Sequence, residues 1–454
     1  MTTSTSATFS IDASPAALGR VLPNIKSNVN RFGGRFPAEP EIEPDYNMHD
    51  FVKFVQLMAC TGGNPQRDLF RDPADFSILD DYDFEPLLAS CRGILKTGAK
   101  PLLKLGNVPS KLSRDILAKT AGHQVFNVNV FPPDDYQQYY AYIRAITEAL
   151  VAEFGLAEVR SWCFGVLTEY ENVDWFYAPS RDPAESSEAF CRLYDFTVKA
   201  LEDVLGPQVF VGAHSMSVIE GLWDEALFIR HCASGRNYAT GGTGTTLRYL
   251  AASYYEDSPG HFGSHKTFPE TIAYVLNAAE AAGLRGLLYG IDEGRILRGN
   301  AAGNEKSDLV SRTVGDTYQA AFDARLAKQA FDHGVDYFSS WSYFSEGDSG
   351  NPCVSYHIAR GVAAFEGARL AAVSRTDAPA APVNEVDTGR AVEIGLSAAY
   401  DEAARKLYLG ELFPKYRKLA RPVAEEECCQ FSADGSFTLS FTLPPHGVTF
   451  FTIA

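Results

Sequence analysis

Two glutamates far apart in the chain each close an apolar run: Glu169 in "FGVLTEYENVDWF" and Glu293 in "LLYGIDEG". Glycoside hydrolysis needs two such acids facing one pocket. One is held protonated and gives its proton to the leaving oxygen, while the other is ionised and attacks the anomeric carbon or activates water. Their surroundings must push their pKa values apart. Glu169 stands beside apolar and aromatic residues, which favours its neutral form, and Arg295 and Arg298 follow Glu293, which favours its anion if those side chains turn inward. A lone Glu at a strand end is more often a cap or a surface residue, so the pair carries the reading. Asp292 is the alternative to Glu293. Alternation sends neighbouring strand side chains to opposite faces, so only one of the two is expected in the pocket.

The elements that position these acids follow from the apolar pattern. Short apolar runs read as buried strands at 25–30, 66–70, 100–105, 159–166, 209–213, 246–253, 286–291 and 335–342. Helical patterns lie between them. "HDFVKFVQLMAC" (49–60) reads as the first helix. "DFEPLLASCRGILKTG" places Leu87, Leu88, Cys91, Ile94 and Leu95 on one face, with Gly98 as the stop. A helix from Tyr136 to Phe154 follows Asp134 as cap and ends at Gly155. Eight strands each followed by a helix predict a closed (β/α)8 TIM barrel, whose active site lies at the C-terminal strand ends. Glu169 ends strand four and Asp292-Glu293 end strand seven. A doubly wound open sheet is the alternative, and no G-x-G-x-x-G follows the first strand to support its dinucleotide version.

After Leu370 the texture changes. "SRTDAPAAPVNEVD" reads as a linker, and "AVEIGLSAAY", "KLYLGEL", "SFTLSFTL" and "VTFFTIA" read as strands of a small antiparallel β-sandwich. The N-terminal "ATFSIDA" has strand texture too. The expected domains are a barrel over 17–371 and an accessory sandwich from 1–16 plus 372–454.

Composition narrows the partners. The chain has 454 residues, 46% of them hydrophobic, with a formal charge of −17. A strongly acidic surface argues against nucleic acid and anionic membranes and fits a small neutral substrate. The eight cysteines form no paired C-x-x-C pattern and read as reduced core residues. The N-terminus lacks a basic start and an apolar core, and no run reaches the roughly 18 apolar residues of a membrane span. A cytoplasmic protein without cofactor or metal is expected. His214 after strand five is a candidate pocket contact, set against the more common role of a satisfied structural histidine. His261 and His265 in "HFGSH" have metal-like spacing but no carboxylate to complete a ligand set. Trp175 and Trp341 follow the ends of strands four and eight and are candidates for stacking on a sugar ring, with core packing an equal alternative for Trp175.

Several segments carry a family resemblance. "YYAYIRAITEALVAEFGLAEVRSWCFGVLTEYENVDWF", "DFEPLLASCRGILKTGAKPLLKLGNVP", "LLYGIDEG" and "QAAFDARLAKQAFDHGVDYFSSWSYFSE" resemble stretches of glycoside hydrolase family 39, in the large clan of barrel glycosidases. The resemblance implies a retaining mechanism with Glu169 as acid/base, Glu293 as nucleophile and carboxyl groups about 5–5.5 Å apart. It places Tyr255 near a tyrosine that supports the nucleophile and Trp341 on a barrel-mouth tryptophan. It also implies a homo-oligomer as one option.

The departures bear on substrate. Thr168 stands where the family has an Asn that bonds the sugar 2-hydroxyl, Tyr170 and Glu171 replace Pro and Asn after the acid, Asp292 replaces Thr, and Ser253 replaces a His. Thr168, Tyr255, Trp341, His214, Trp175 and Asp292 are therefore the expected substrate-binding set, in a rebuilt first subsite. The function implied is exo hydrolysis of a pentoside or a related small glycoside. The alternative is a barrel that binds carbohydrate and has lost catalysis.

Overall fold

The computed structural model describes residues 9–32, 51–64, 67–113, 128–216, 221–258, 260–261, 264, 266–296, 317–340, 354–375, 396–401, 406–412 and 448–453. Eight parallel strands form one closed sheet. They are Asn28–Phe32, Phe54–Met58, Lys100–Leu105, Cys163–Val166, Phe210–Ser215, Tyr249–Ser258, Leu288–Ile296 and Tyr337–Ser340. Each pairs with the next in chain order, and Ser340 opposite Val29 joins the eighth to the first. This is the (β/α)8 barrel.

The second barrel strand corrects the sequence reading. Phe54–Met58 lies inside the segment expected to be the first helix, whereas the described part of the expected strand at 66–70, residues 67–70, contributes an isolated bridge from Phe70 to Tyr82. Val55, Leu57 and Met58 are all buried, and so is Gln56 between them. A strand covered on both faces shows no alternation, so its apolar run is indistinguishable from a buried helical one.

The connecting helices start where capping chemistry allows. Helix Tyr136–Phe154 begins at Asp135, not Asp134, because the Asp135 carboxylate accepts from the Gln137 backbone N–H. Helix Pro183–Leu205 has Asp182 as cap and Pro183 in its first turn. Helix Phe268–Ala281 opens with a capping box between Thr267 and Glu270.

The barrel interior is filled by large polar-tipped side chains. A Cβ on Gly212 would stand 2.4 Å from the Tyr249 ring, and one on Gly290 would stand 2.1 Å from the Tyr337 ring. Bare backbone on these two strands is what lets the tyrosines enter. Their hydroxyls and the wholly buried Lys104 give the interior a polar layer below the strand ends.

The chain divides into two compact units, one comprising 26–301 and 333–342, the other 1–25, 302–332 and 343–454. In the second, Phe9–Asp12 pairs antiparallel with Ala372–Arg375. A four-stranded antiparallel sheet runs Arg369–Leu370, Leu396–Asp401, Lys406–Leu412, Val448–Ile453. The "SFTLSFTL" strand and most of the expected linker lie outside the described residues. No helix among the described residues is long and apolar enough to cross a membrane.

Candidate active site

Glu169 emerges where the fourth barrel strand breaks. Leu167 and Glu169 both take positive φ, 60° and 47°. Such backbone is costly for a side-chain-bearing residue and persists only where neighbours fix it. Leu167 N–H donates to Leu105 O at 2.6 Å, Tyr170 N–H to His214 O at 3.2 Å, and Asn172 N–H to Glu169 O at 2.8 Å. Gly106 allows the close approach: its φ is +115°, and a Cβ there would meet Leu167 Cγ at 2.8 Å. The kink turns the Glu169 carboxylate toward the sixth strand. Ser253 Oγ donates to its Oε1 at 2.7 Å and Asn172 Nδ2 to its Oε2 at 2.9 Å.

Glu293 is presented by a β-bulge. Ala252 pairs with Ile291, but Ser253 pairs with Glu293, and on the other side Phe338 pairs with Ile291 while Ser340 pairs with Gly294. The seventh strand therefore carries one surplus residue against both neighbours, and alternation fails there. Asp292 and Glu293 both point inward, contrary to the expectation that only one could. Tyr255 Oη donates to Glu293 Oε1 at 2.6 Å. Glu293 Oε2 is buried and accepts no hydrogen bond among the described residues. Glu169 is 8% exposed and Glu293 6%.

Asp292 sits below the pair, wholly buried and engaged with protein. Lys104 Nζ holds its Oδ2, and Tyr337 Oη donates to its Oδ1 at 2.6 Å. Asn30 Nδ2 and Gln56 Nε2 donate to its carbonyl at 2.5 and 3.2 Å. His214 Nδ1 lies 3.8 Å from Asp292 Oδ2, and its Nε2 lies 2.8 Å from Ser253 Oγ. A hydrogen-bonded chain thus runs from His214 through Ser253 to Glu169, above the ion pair of Lys104 with Asp292.

At Glu293 the described surroundings favour the neutral form. Burial raises the Glu293 carboxyl well above the ordinary carboxylate range, and the neighbouring Glu169 charge raises it further, opposed by the Tyr255 hydrogen bond and the Lys104 charge. The side chains of Arg295 and Arg298, expected to favour its anion, lie outside the described residues. Below the site, burial and the Lys104 charge hold the His214 imidazole well below its usual pKa, so it is neutral. Glu171, directly after the kink, is also wholly buried. Its carboxyl is raised well above the ordinary range by burial and by Glu225, and its Oε1 accepts from Met216 N–H at 2.7 Å.

The other expected substrate contacts fall as follows. Tyr255 is half-buried beside Glu293. Thr168 is 3% exposed. Trp175 packs in a core cluster with Met58, Ala59 and Val128. His214 is 1% exposed and bonds Ser253 rather than facing open space. Trp341 and His265 lie outside the described residues, as does the side chain of His261. Among the described residues no group of three or more His, Cys, Asp or Glu could hold a metal ion. Asn172, Lys104 and Glu171 were missed as parts of the site. Lys104 had left a signal: a lysine inside the apolar run "PLLKLG" of a doubly covered strand must find a buried acid.

The sequence profile of Glycosyl hydrolases family 39 matches residues 68–378, about two thirds of the chain. A beta-xylosidase of Caldicellulosiruptor saccharolyticus is 29% identical over 111 residues, covering 24% of this chain and 21% of that protein. A beta-xylosidase of Geobacillus stearothermophilus is 27% identical over 158 residues, covering 34% of this chain and 28% of that protein. The matched stretches therefore span only 21% and 28% of those relatives. Among solved structures, a family 39 beta-xylosidase from Caulobacter crescentus superposes with a TM-score of 0.56 at 17% identity, over 87% of this chain and 79% of that one. That likeness is one of fold.

Proposed function

The chain belongs to family 39 of the glycosyl hydrolases, and from that premise we propose that it is a retaining glycoside hydrolase with Glu169 as acid/base and Glu293 as nucleophile. The observation that carries the reading is the shared mounting of the two acids. Ser253 and Tyr255, two residues apart on one face of one strand, donate to Glu169 and Glu293 respectively. Two carboxyl groups held this way, from strands four and seven, are near enough for the charge of Glu169 to act on Glu293.

The pair needs one proton between them. Burial favours the neutral form of Glu293, whose Oε2 accepts no hydrogen bond among the described residues. A bound glycoside changes the balance, because positive charge developing at the anomeric carbon favours the anion of the acid below it. Glu293 then attacks and forms a covalent glycosyl-enzyme, while Glu169 protonates the departing oxygen. In the second half Glu169 takes a proton from water, which cleaves the ester and returns the sugar with its anomeric configuration retained. The titration belongs to the pair rather than to either residue alone.

The proposed substrate is a pentoside or a related small glycoside, cleaved from a chain end. The similarity to beta-xylosidases supports a xyloside, and Thr168 in place of the family's Asn supports a rebuilt contact to the 2-hydroxyl. The proposed division of labour keeps the reaction within a barrel over 17–371, with the antiparallel β-domain as accessory.

The test uses aryl pentosides and hexosides of both anomers, with arabinofuranosides included, followed by the matching 2-deoxy-2-fluoro glycoside and intact mass. Turnover with a stable adduct on Glu293 is expected. Saccharide binding without turnover or adduct overturns catalysis and leaves a carbohydrate-binding barrel.

A further inference from the structure

We propose that His214 is a positioning residue which orients Ser253 so that its hydroxyl proton is kept on the Oε1 oxygen of Glu169. The inference rests on the assignment of Glu169 as acid/base, and it concerns only hydrogen-bond direction. Ser253 Oγ has two heavy-atom partners, Glu169 Oε1 at 2.7 Å and His214 Nε2 at 2.8 Å. A hydroxyl has one proton, so if it donates to Glu169 it must accept from His214. A neutral imidazole with its proton on Nε2 leaves a lone pair on Nδ1. That tautomer follows from the Ser253 bond: an ionised Glu169 can only accept, so Ser253 donates to it and offers Nε2 a lone pair. Nδ1 is buried, makes no hydrogen bond among the described residues, and lies 3.8 Å from Asp292 Oδ2.

The reverse direction, with Ser253 donating to Nε2, requires the proton on Nδ1. It would also take the Ser253 donor away from an ionised Glu169. With Glu169 ionised, the direction is therefore His214 to Ser253 to Glu169. Asn172 Nδ2 donates to Oε2 at 2.9 Å. No atom is transferred along the chain of hydrogen bonds; it only holds its direction. Because it donates to the anion, the chain also lowers the proton affinity of Glu169.

The charged and titratable groups around this unit are Glu293 and Tyr255 from strands seven and six, Glu171 on the same loop as Glu169, and Lys104 and Asp292 beneath His214. A variant must leave these in place. Ser253→Ala removes the donor to Oε1 with little change of volume. His214→Phe removes the donor to Ser253. His214→Gln restores a side-chain N–H close to the position of Nε2.

The experiment titrates the side-chain carboxyl carbons of glutamate-labelled protein by carbon-13 NMR, with the Glu169 signal assigned by its loss in Glu169→Gln. This readout does not depend on turnover, so it separates failure of this inference from failure of the proposed activity. The Glu169 midpoint is expected to rise by about one pH unit in Ser253→Ala and in His214→Phe, and to stay near the wild-type value in His214→Gln. If the wild-type hydrolyses an aryl glycoside, the alkaline limb of kcat/KM moves up by the same amount. An unchanged midpoint in Ser253→Ala overturns the inference. So does a midpoint in His214→Gln displaced as far as in His214→Phe.

Discussion

Ser253 and Tyr255 stand two residues apart on the sixth barrel strand, and each donates a hydroxyl to a different glutamate, at 2.7 and 2.6 Å. The strand repeat puts their side chains on one face. A single segment of backbone therefore supports both acids, alongside the kink that carries Glu169 and the bulge that carries Glu293.

Glu169→Gln and Glu293→Gln should separate by leaving group. Without the acid, kcat/KM for a glycoside with a poor leaving group should fall by about 10²–10⁴-fold, and much less for a dinitrophenyl glycoside, which needs no protonation. Glu293→Gln should fail equally with both and form no adduct with the 2-fluoro probe. Equal losses across leaving groups in Glu169→Gln would reverse the role assigned to it.

Tyr255→Phe should move the acidic limb of the pH profile. The Glu293 carboxyl is raised by burial and by Glu169, and the Tyr255 hydrogen bond opposes that rise. Its anion, the attacking form, appears only above the raised value. Removing the donor raises the value further, so the acidic limb of kcat/KM should shift upward by about one pH unit. A limb that stays in place would mean that another group sets it.

Glu171 should make stability fall as pH rises. Its folded-state carboxyl is raised well above its ordinary value by burial and by Glu225, so the folded state holds a proton that the unfolded state releases. The stabilisation is fully present below the unfolded pKa, near 4.3, and is lost as pH rises through the folded one. Glu171→Gln keeps an oxygen to accept from Met216 N–H and removes the titration. Its thermal midpoint should exceed the wild-type midpoint at pH 7, and the two should converge near pH 4.

Lys104→Met should be strongly destabilising, by about 3–5 kcal/mol, because it leaves Asp292 as an unpaired charge inside the barrel. Adding Asp292→Asn should recover a large part of that loss. Additive losses in the double variant, measured by chemical unfolding, would show that the two side chains act separately.

Much of this was legible in the chain, for identifiable reasons. Seven of the eight strands lie on or beside the expected apolar runs, because parallel strands covered on both faces are short and uniformly apolar. The same burial on both faces hid Phe54–Met58, where Gln56 is buried among apolar neighbours and gave no period to separate strand from helix. The two glutamates were visible because both end such runs. Their shared support was not, since Ser253 read only as a departure from a family pattern. Nor was the neutral preference of Glu293, which arises from burial and a like charge brought in from another strand. The bulge at Asp292 was invisible for a simpler reason: periodicity arguments assume an unbroken ladder, and only pairing with both neighbours reveals the surplus residue.

That surplus residue separates two fates. Excising the single codon for Asp292 should restore regular pairing on both sides and still leave Glu293 aimed at the barrel axis, because the residue lost is the one the neighbouring strands never matched. The proposed nucleophile and the ion pair beneath it are thus genetically separable. A descendant could retain the first while Lys104, stripped of its counter-ion, becomes the position under pressure to change.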